Sequence, residues 1–179
     1  MHIEKSIEVD APLKNVYNQW TQFQEFPKFM QGIEQVQQLD NKRLHWVAEI
    51  GGKRKEWDAE IFEQVPDQKI AWRSTSGAAN AGIVSFRPVA ANRTQVTVRM
   101  EYEPEGAIEH LGAAMGAVGT RIEGDLKRFR DFIQSRIKET GAWRGEIHGG
   151  RVESTGSGTS PGNSPGTPGY GTTGTSGVR

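Results

Sequence analysis

Apolar residues along the chain keep two different periods, and the change from one to the other predicts the fold. Between residues 108 and 137 they stand at Ile108, Leu111, Met115, Val118, Ile122, Leu126, Phe129, Ile133 and Ile137. Gaps of three and four make this one stripe of an α-helix. The opposite face carries Glu123, Lys127, Arg128, Arg130, Asp131, Arg136 and Lys138. At about 1.5 Å per residue such a helix spans about 40–45 Å and needs a broad surface to lie on.

Before the helix the period is two. In residues 2–9, Ile3, Ile7 and Val9 share a face. Lys5 shares it too, so it is expected at an open end of the strand or in a cavity. From Gly32 onward the inward series reads Leu44, Trp46, Ala48, Ile50; then Lys55, Trp57, Ala59, Ile61; then Ile70, Trp72, Ser74; then Gly82, Val84, Phe86; then Thr94, Val96, Val98, Met100, Tyr102. Residues 33–39 form a weaker strand. Gly51-Gly52 predicts a tight hairpin, and Val65-Pro66-Asp67-Gln68 and Asn92-Arg93 predict turns. After the first strand, Asp10 is expected to cap a helix carrying Leu13, Val16, Tyr17 and Trp20. Phe23, Phe26, Phe29 and Met30 then form short helical turns, broken at Pro27, that plug one end of the sheet. Short connections imply antiparallel neighbours, and clean alternation implies one covered face. The expected fold is α+β, a curved antiparallel sheet gripping a long C-terminal helix.

Composition changes this picture after Thr140. Residues 141–179 hold 12 of the 22 glycines, and 157–177 are nearly pure Gly, Ser, Thr, Pro and Asn. Such a stretch buries too little to offset its ordering entropy. The expectation is a folded domain over 1–140 and a disordered tail over 141–179.

Charge and rare residues narrow the function. Lys plus Arg and Asp plus Glu number 22 each, so no field favours a nucleic-acid partner. There is no cysteine, and the four histidines, His2, His45, His110 and His148, lack metal-ligand spacing. No metal and no cofactor are expected. Only His110, beside the helical stripe, is a candidate for ligand contact. No signal-peptide segment and no 18-residue apolar run occur, so the expected location is cytoplasmic.

Gly112, Gly116 and Gly119 interrupt the first half of the helix, where each costs about 1 kcal/mol relative to alanine. Either they leave room beneath the helix or they let it press close to the sheet. On the first reading a ligand cavity is lined by Trp46, Trp57, Trp72, Phe86, Met100 and Tyr102 from the sheet and by Leu111, Met115 and Gly116 from the helix.

Val9-Asp10-Ala11-Pro12 with Val16-Tyr17 and Trp20, then Glu56-Trp57, Val65-Pro66-Asp67, Ile70-Ala71-Trp72, Gly82-x-Val84-x-Phe86 and Leu126-x-x-Phe129 resemble the bacterial polyketide cyclase/dehydrase and coenzyme Q-binding START-like proteins. These belong to the helix-grip superfamily of the birch-pollen allergen. The resemblance spans residues 2–139. It implies seven antiparallel strands, two short helices after the first, a long C-terminal helix and an apolar cavity. Members bind lipids, quinones, sterols or polyketides, and some close aromatic rings. The implied function is binding and carriage of a hydrophobic small molecule, with transient membrane-surface contact. The alternative is a cyclase/dehydrase-type enzyme, for which Lys5, Lys55, Ser74, His110 and Tyr102 are the acid–base candidates. Aromatase-cyclases carry a tyrosine soon after the second short helix and an inward arginine. Here Gly32 falls at the first position, and Arg54, Arg73, Arg87 and Arg99 fall on the outer face.

Overall fold

The computed structural model describes residues 2–77, 79–102, 111–136 and 138–155; for Tyr102 and residues 111–115 it describes the backbone alone. In order the elements are β1 (His2–Val9), α1 (Leu13–Trp20), a 3-10 segment η1 (Phe23–Lys28), β2 (Ile33–Gln38), β3 (Arg43–Ile50), β4 (Lys53–Val65), β5 (Lys69–Ser76), β6 (Asn80–Ala90), β7 (Arg93–Tyr102), α2 (Leu111–Gln134), β8 (Glu146–His148) and β9 (Arg151–Ser154). Ile108 and Ile137, the expected ends of the long helix, lie outside the described residues.

Seven strands run in the order β1-β7-β6-β5-β4-β3-β2, each antiparallel to its neighbours. Val9, Leu44, Ala59, Ile61, Ile70, Val84 and Val96 are buried on one face, as their alternation requires. Leu126, Phe129 and Ile133 of α2 close over that face. The Phe129 ring stands edge-on to Trp20 at 4.8 Å and to Phe29 at 5.2 Å. Phe26 extends this cluster to Phe23 and Trp20, so η1 plugs its end of the sheet with edge-to-face aromatic contacts. Gly51 and Gly52 both have positive φ, the requirement of a two-residue hairpin turn.

Two expectations about local structure need correction. Asp10 does not cap α1. Pro12 occupies the cap position with no side-chain bond, and Asp10 instead accepts from Arg93 Nε at 3.0 Å. Alternation also breaks inside β4. A register shift between Ile61 and Glu63 turns the strand by one residue, so Gln64 points inward. Gln64 is buried and its Nε2 donates to the Tyr17 hydroxyl at 3.0 Å. Tyr17 has no exposed surface, and burial pushes its phenol up to about 12. A raised phenol favours the protonated folded form, so its contribution is intact below about pH 10 and is lost as pH climbs through 12. Tyr17→Phe is therefore expected to remove about 2–3 kcal/mol of the stability lost between those pH values, read as the difference between denaturant titrations of the two proteins.

The largest correction concerns the boundary at Thr140, because the sheet continues to Ser154. Pairing of β3 with β4 ends at Arg43 opposite Glu60, while β4 runs on to Val65. The edge left open is covered by the β8–β9 hairpin. Gln64 pairs with Ile147, Gly150 N–H donates to Phe62 O at 2.8 Å, and Ile147 is fully buried. The approach is fastened to α1: Thr140 N–H donates to Gln19 Oε1 at 2.9 Å and Trp143 N–H to Thr21 Oγ1 at 3.0 Å. Arg144 then grips Asp67 with two bonds of 2.7 and 3.0 Å and reaches Asn18 Oδ1 at 2.7 Å. Residues 156–179, the remainder of the expected tail, lie outside the described residues.

Candidate functional site

A cavity of about 220 Å³ lies between α2 and the inner face of the sheet. Strand pairing explains its aromatic wall. Trp46 and Trp57 are opposite partners on β3 and β4, so both rings leave the same face, and they stack at 5.7 Å with planes 9° apart. Trp72 stands opposite Gly82, where any Cβ would lie 2.4 Å from the indole. Glycine at 82 makes the seat for that ring. With Trp20, four of the chain's five tryptophans line the cavity. Met100, the other neighbour of Gly82, lines it too. From the helix come Val118, Ile122 and Leu126, three members of the stripe.

Of the residues expected at the site, Trp46, Trp57, Trp72 and Met100 line the cavity. Phe86 does not: it is core, edge-on to Tyr17 at 5.4 Å and to Trp20 at 6.1 Å. Gly116 is exposed, and a Cβ there would meet nothing within 4 Å, because it sits beside the stripe rather than on it. The side chains of Tyr102, Leu111 and Met115 lie outside the described residues. Gly119 is buried, and a Cβ there would touch Lys5 Cε at 3.4 Å and Ile3 Cγ2 at 3.9 Å. Those are ordinary contact distances, so α2 packs on β1 here with room for a methyl group, and packing does not require the glycine.

Among the described residues four polar side chains reach the lining: Lys55, Asn80, Arg121 and Asp125. Lys55 was legible from strand parity. Arg121 and Asp125 directly precede Ile122 and Leu126 of the stripe, so their places beside it are the sequence signal for a polar edge to the cavity. Both fasten α2 to the loop between η1 and β2. Asp125 Oδ1 accepts from Gln31 N–H at 2.9 Å and from Arg128, Arg121 donates to Gln31 O, and Arg128 Nε donates to Phe29 O at 2.8 Å. Burial nonetheless pushes the Asp125 carboxyl above the usual carboxylate range. Gly32 in that loop has φ +79°, and a Cβ on it would lie 2.6 Å from Glu49 O and 2.7 Å from Arg121 Nη2. No side chain fits where the resemblance would place a tyrosine.

The remaining candidates fall away from the cavity or into other bonds. Lys5 pairs with Glu123 at 3.5 Å, and Lys127, then Lys5, hold that carboxyl below its usual range. Ser74 Oγ accepts from Asn80 N–H at 3.0 Å, and His110 lies outside the described residues. His45 is 2.7 Å from Asp58 on the outer face, where Arg54, Arg73 and Arg99 are also exposed and paired with glutamates. His148 bonds Glu146, which raises its pKa. Among the described residues no three His, Cys, Asp or Glu side chains group to hold a metal, and no helix is long and apolar enough to cross a membrane.

Comparison with known proteins agrees with this arrangement. The family described as polyketide cyclase/dehydrase and lipid transport matches residues 9–130. An uncharacterized 17.2 kDa protein of Streptomyces lincolnensis is 44% identical over 146 residues, covering 81% of this chain and 97% of the relative. Two solved structures share the fold with a TM-score of 0.66 and 16% identity. The Zhui aromatase/cyclase from Streptomyces sp. R1128 covers 79% of this chain and is itself covered over 98%. A START superfamily protein from Mycobacterium smegmatis covers 75%, with 97% of its own length matched.

Proposed function

Because the chain belongs to the polyketide cyclase/dehydrase and lipid transport family, we propose that it binds and carries a hydrophobic small molecule, a lipid, quinone or polyketide-like compound, in the cavity beneath α2. The observation that carries this reading is the cavity wall of four indoles with few polar groups. Apolar surface taken out of water contributes about 25 cal/mol per Å², and no charged partner is needed to hold such a ligand. A pocket of this kind, apolar with a few convergent polar groups, is where a small ligand sits by default.

Titrating the full chain with 2-naphthalenemethanol while following tryptophan fluorescence tests the reading. Saturable quenching is expected. Trp57 lines the cavity and is only half-buried, so Trp57→Ala should weaken the probe about tenfold, a loss of about 1.4 kcal/mol typical of one aromatic contact. The melting temperature should move by only a few degrees. Unchanged affinity would place the probe elsewhere.

A second reading, catalysis of the cyclase or dehydrase kind, draws on Asp125, whose raised carboxyl lines the cavity. A general acid must reach its substrate, whereas Asp125 Oδ1 is already committed to Gln31 N–H and Arg128. Carriage is the better-supported function.

A further inference from the structure

We infer that the molecule carried in this cavity bears a hydroxyl group, and that this hydroxyl donates to Oδ2 of Asp125. The inference rests on the apolar-ligand reading above and narrows it to alcohols, phenols and hydroquinones. Asp125 lines the cavity, and its side chain is only 15% exposed. At 100° per residue it stands about 20° around α2 from Val118 and about 40° from Phe129. That places it within the apolar arc of the helix.

The two oxygens of this carboxyl are used unequally. Oδ1 accepts from the Gln31 N–H at 2.9 Å and from Arg128 Nη2. Among the described residues no hydrogen bond ends on Oδ2, and unlike the unbonded Trp46 Nε1 it is not sealed off by its neighbours. Burial raises the carboxyl, while the Gln31 N–H and the Arg128 guanidinium favour its charged form. Oδ2 therefore meets a ligand as an acceptor. Lys55 and Arg121 carry donors alone, so neither can take this role.

A charged oxygen left without a donor is costly once a ligand displaces its water. A hydrocarbon or a ketone would strip Oδ2 of water without replacing the bond. A hydroxyl replaces it with a charge-assisted one. Sites that bond a ligand hydroxyl in this way reject the analogue lacking it far more strongly than apolar walls reject a change of one methylene. Accepting the bond moves no proton, so the site remains one of carriage.

The test uses the full chain at pH 7 and two probes of the same shape, 1-(2-naphthyl)ethanol and 2-acetylnaphthalene. They differ in having a hydroxyl or a carbonyl at one position. The alcohol should bind at least tenfold more tightly than the ketone. Asp125→Asn keeps an oxygen for Gln31 and Arg128, which fixes the amide with its N–H donors at the Oδ2 position. The alcohol-to-ketone ratio should then fall at least tenfold, with circular dichroism confirming that the fold persists. A ratio near one in the unmodified chain would overturn the inference, whether or not the variant folds. An unchanged ratio in a folded variant would overturn it too, since the hydroxyl would then be bonded elsewhere. Binding of neither probe would remove the apolar-ligand reading itself, and the narrower inference with it.

Discussion

A chain ended at Thr140 is expected to melt about 8–16 °C below one ended at Thr155. The segment between them supplies Ile147, which has no exposed surface. Losing a buried residue of that size costs about 2–4 kcal/mol. It also supplies Arg144, whose fork on Asp67 and bond to Asn18 tie the β4–β5 turn to α1. Those groups are about one-third exposed, so solvent screening limits the pair to about 1 kcal/mol. The total of about 4 kcal/mol, at 2–4 °C per kcal/mol for a domain of this size, gives the shift. Deletion also bares the edge of β4 beyond Glu60, an invitation to intermolecular pairing. The shortened chain should therefore aggregate more readily in light scattering. Melting within two degrees of the longer chain would mean that residues 141–155 add nothing to the fold.

Phe129→Ala is expected to be the most damaging single change in α2, at about 3–5 kcal/mol in denaturant unfolding. Its ring has no exposed surface and meets Trp20 and Phe29 edge-on, so it joins the helix to the plug that seals one end of the sheet. The tryptophan bands in near-ultraviolet circular dichroism should weaken with it, because Trp20 loses its neighbour. A cost below about 1 kcal/mol would mean that α2 is held by other contacts.

Much of this architecture is readable from periodicity, because both periods are imposed by burial. A strand with one covered face must alternate, and a helix on a sheet must carry a stripe. On those grounds Trp46, Trp57 and Trp72 share the covered face, and all three side chains line the cavity. The failures share physical causes. Parity tells which face a side chain takes but not how far along the sheet it stands, so it does not separate Phe86, packed on Tyr17 and Trp20 of α1, from Trp72, beside the cavity. A one-residue shift in β4 reverses parity, and nothing in Ile61-Phe62-Glu63-Gln64 announces it. Gly116 suggests room beneath the helix by its size, but it stands one step of 100° from Met115 and is exposed, so the space beside it is solvent. The boundary at 140 was misplaced because the composition of residues 157–177 overwhelmed a weak apolar pattern, Trp143, Ile147 and Val152, whose partners are distant in sequence. Asp10 was expected at a cap but found a cation across the fold in Arg93, an interaction that no local rule anticipates.

The central claim, that a small apolar molecule occupies the space beneath α2, is tested most directly by a crystal grown with 1-bromonaphthalene and measured at the bromine absorption edge. An anomalous peak is expected inside the cavity, in contact with Trp46 or Trp57 on one side and Ile122 on the other. Bromine found only on the outer surface, with the cavity closed by its own side chains, would contradict it.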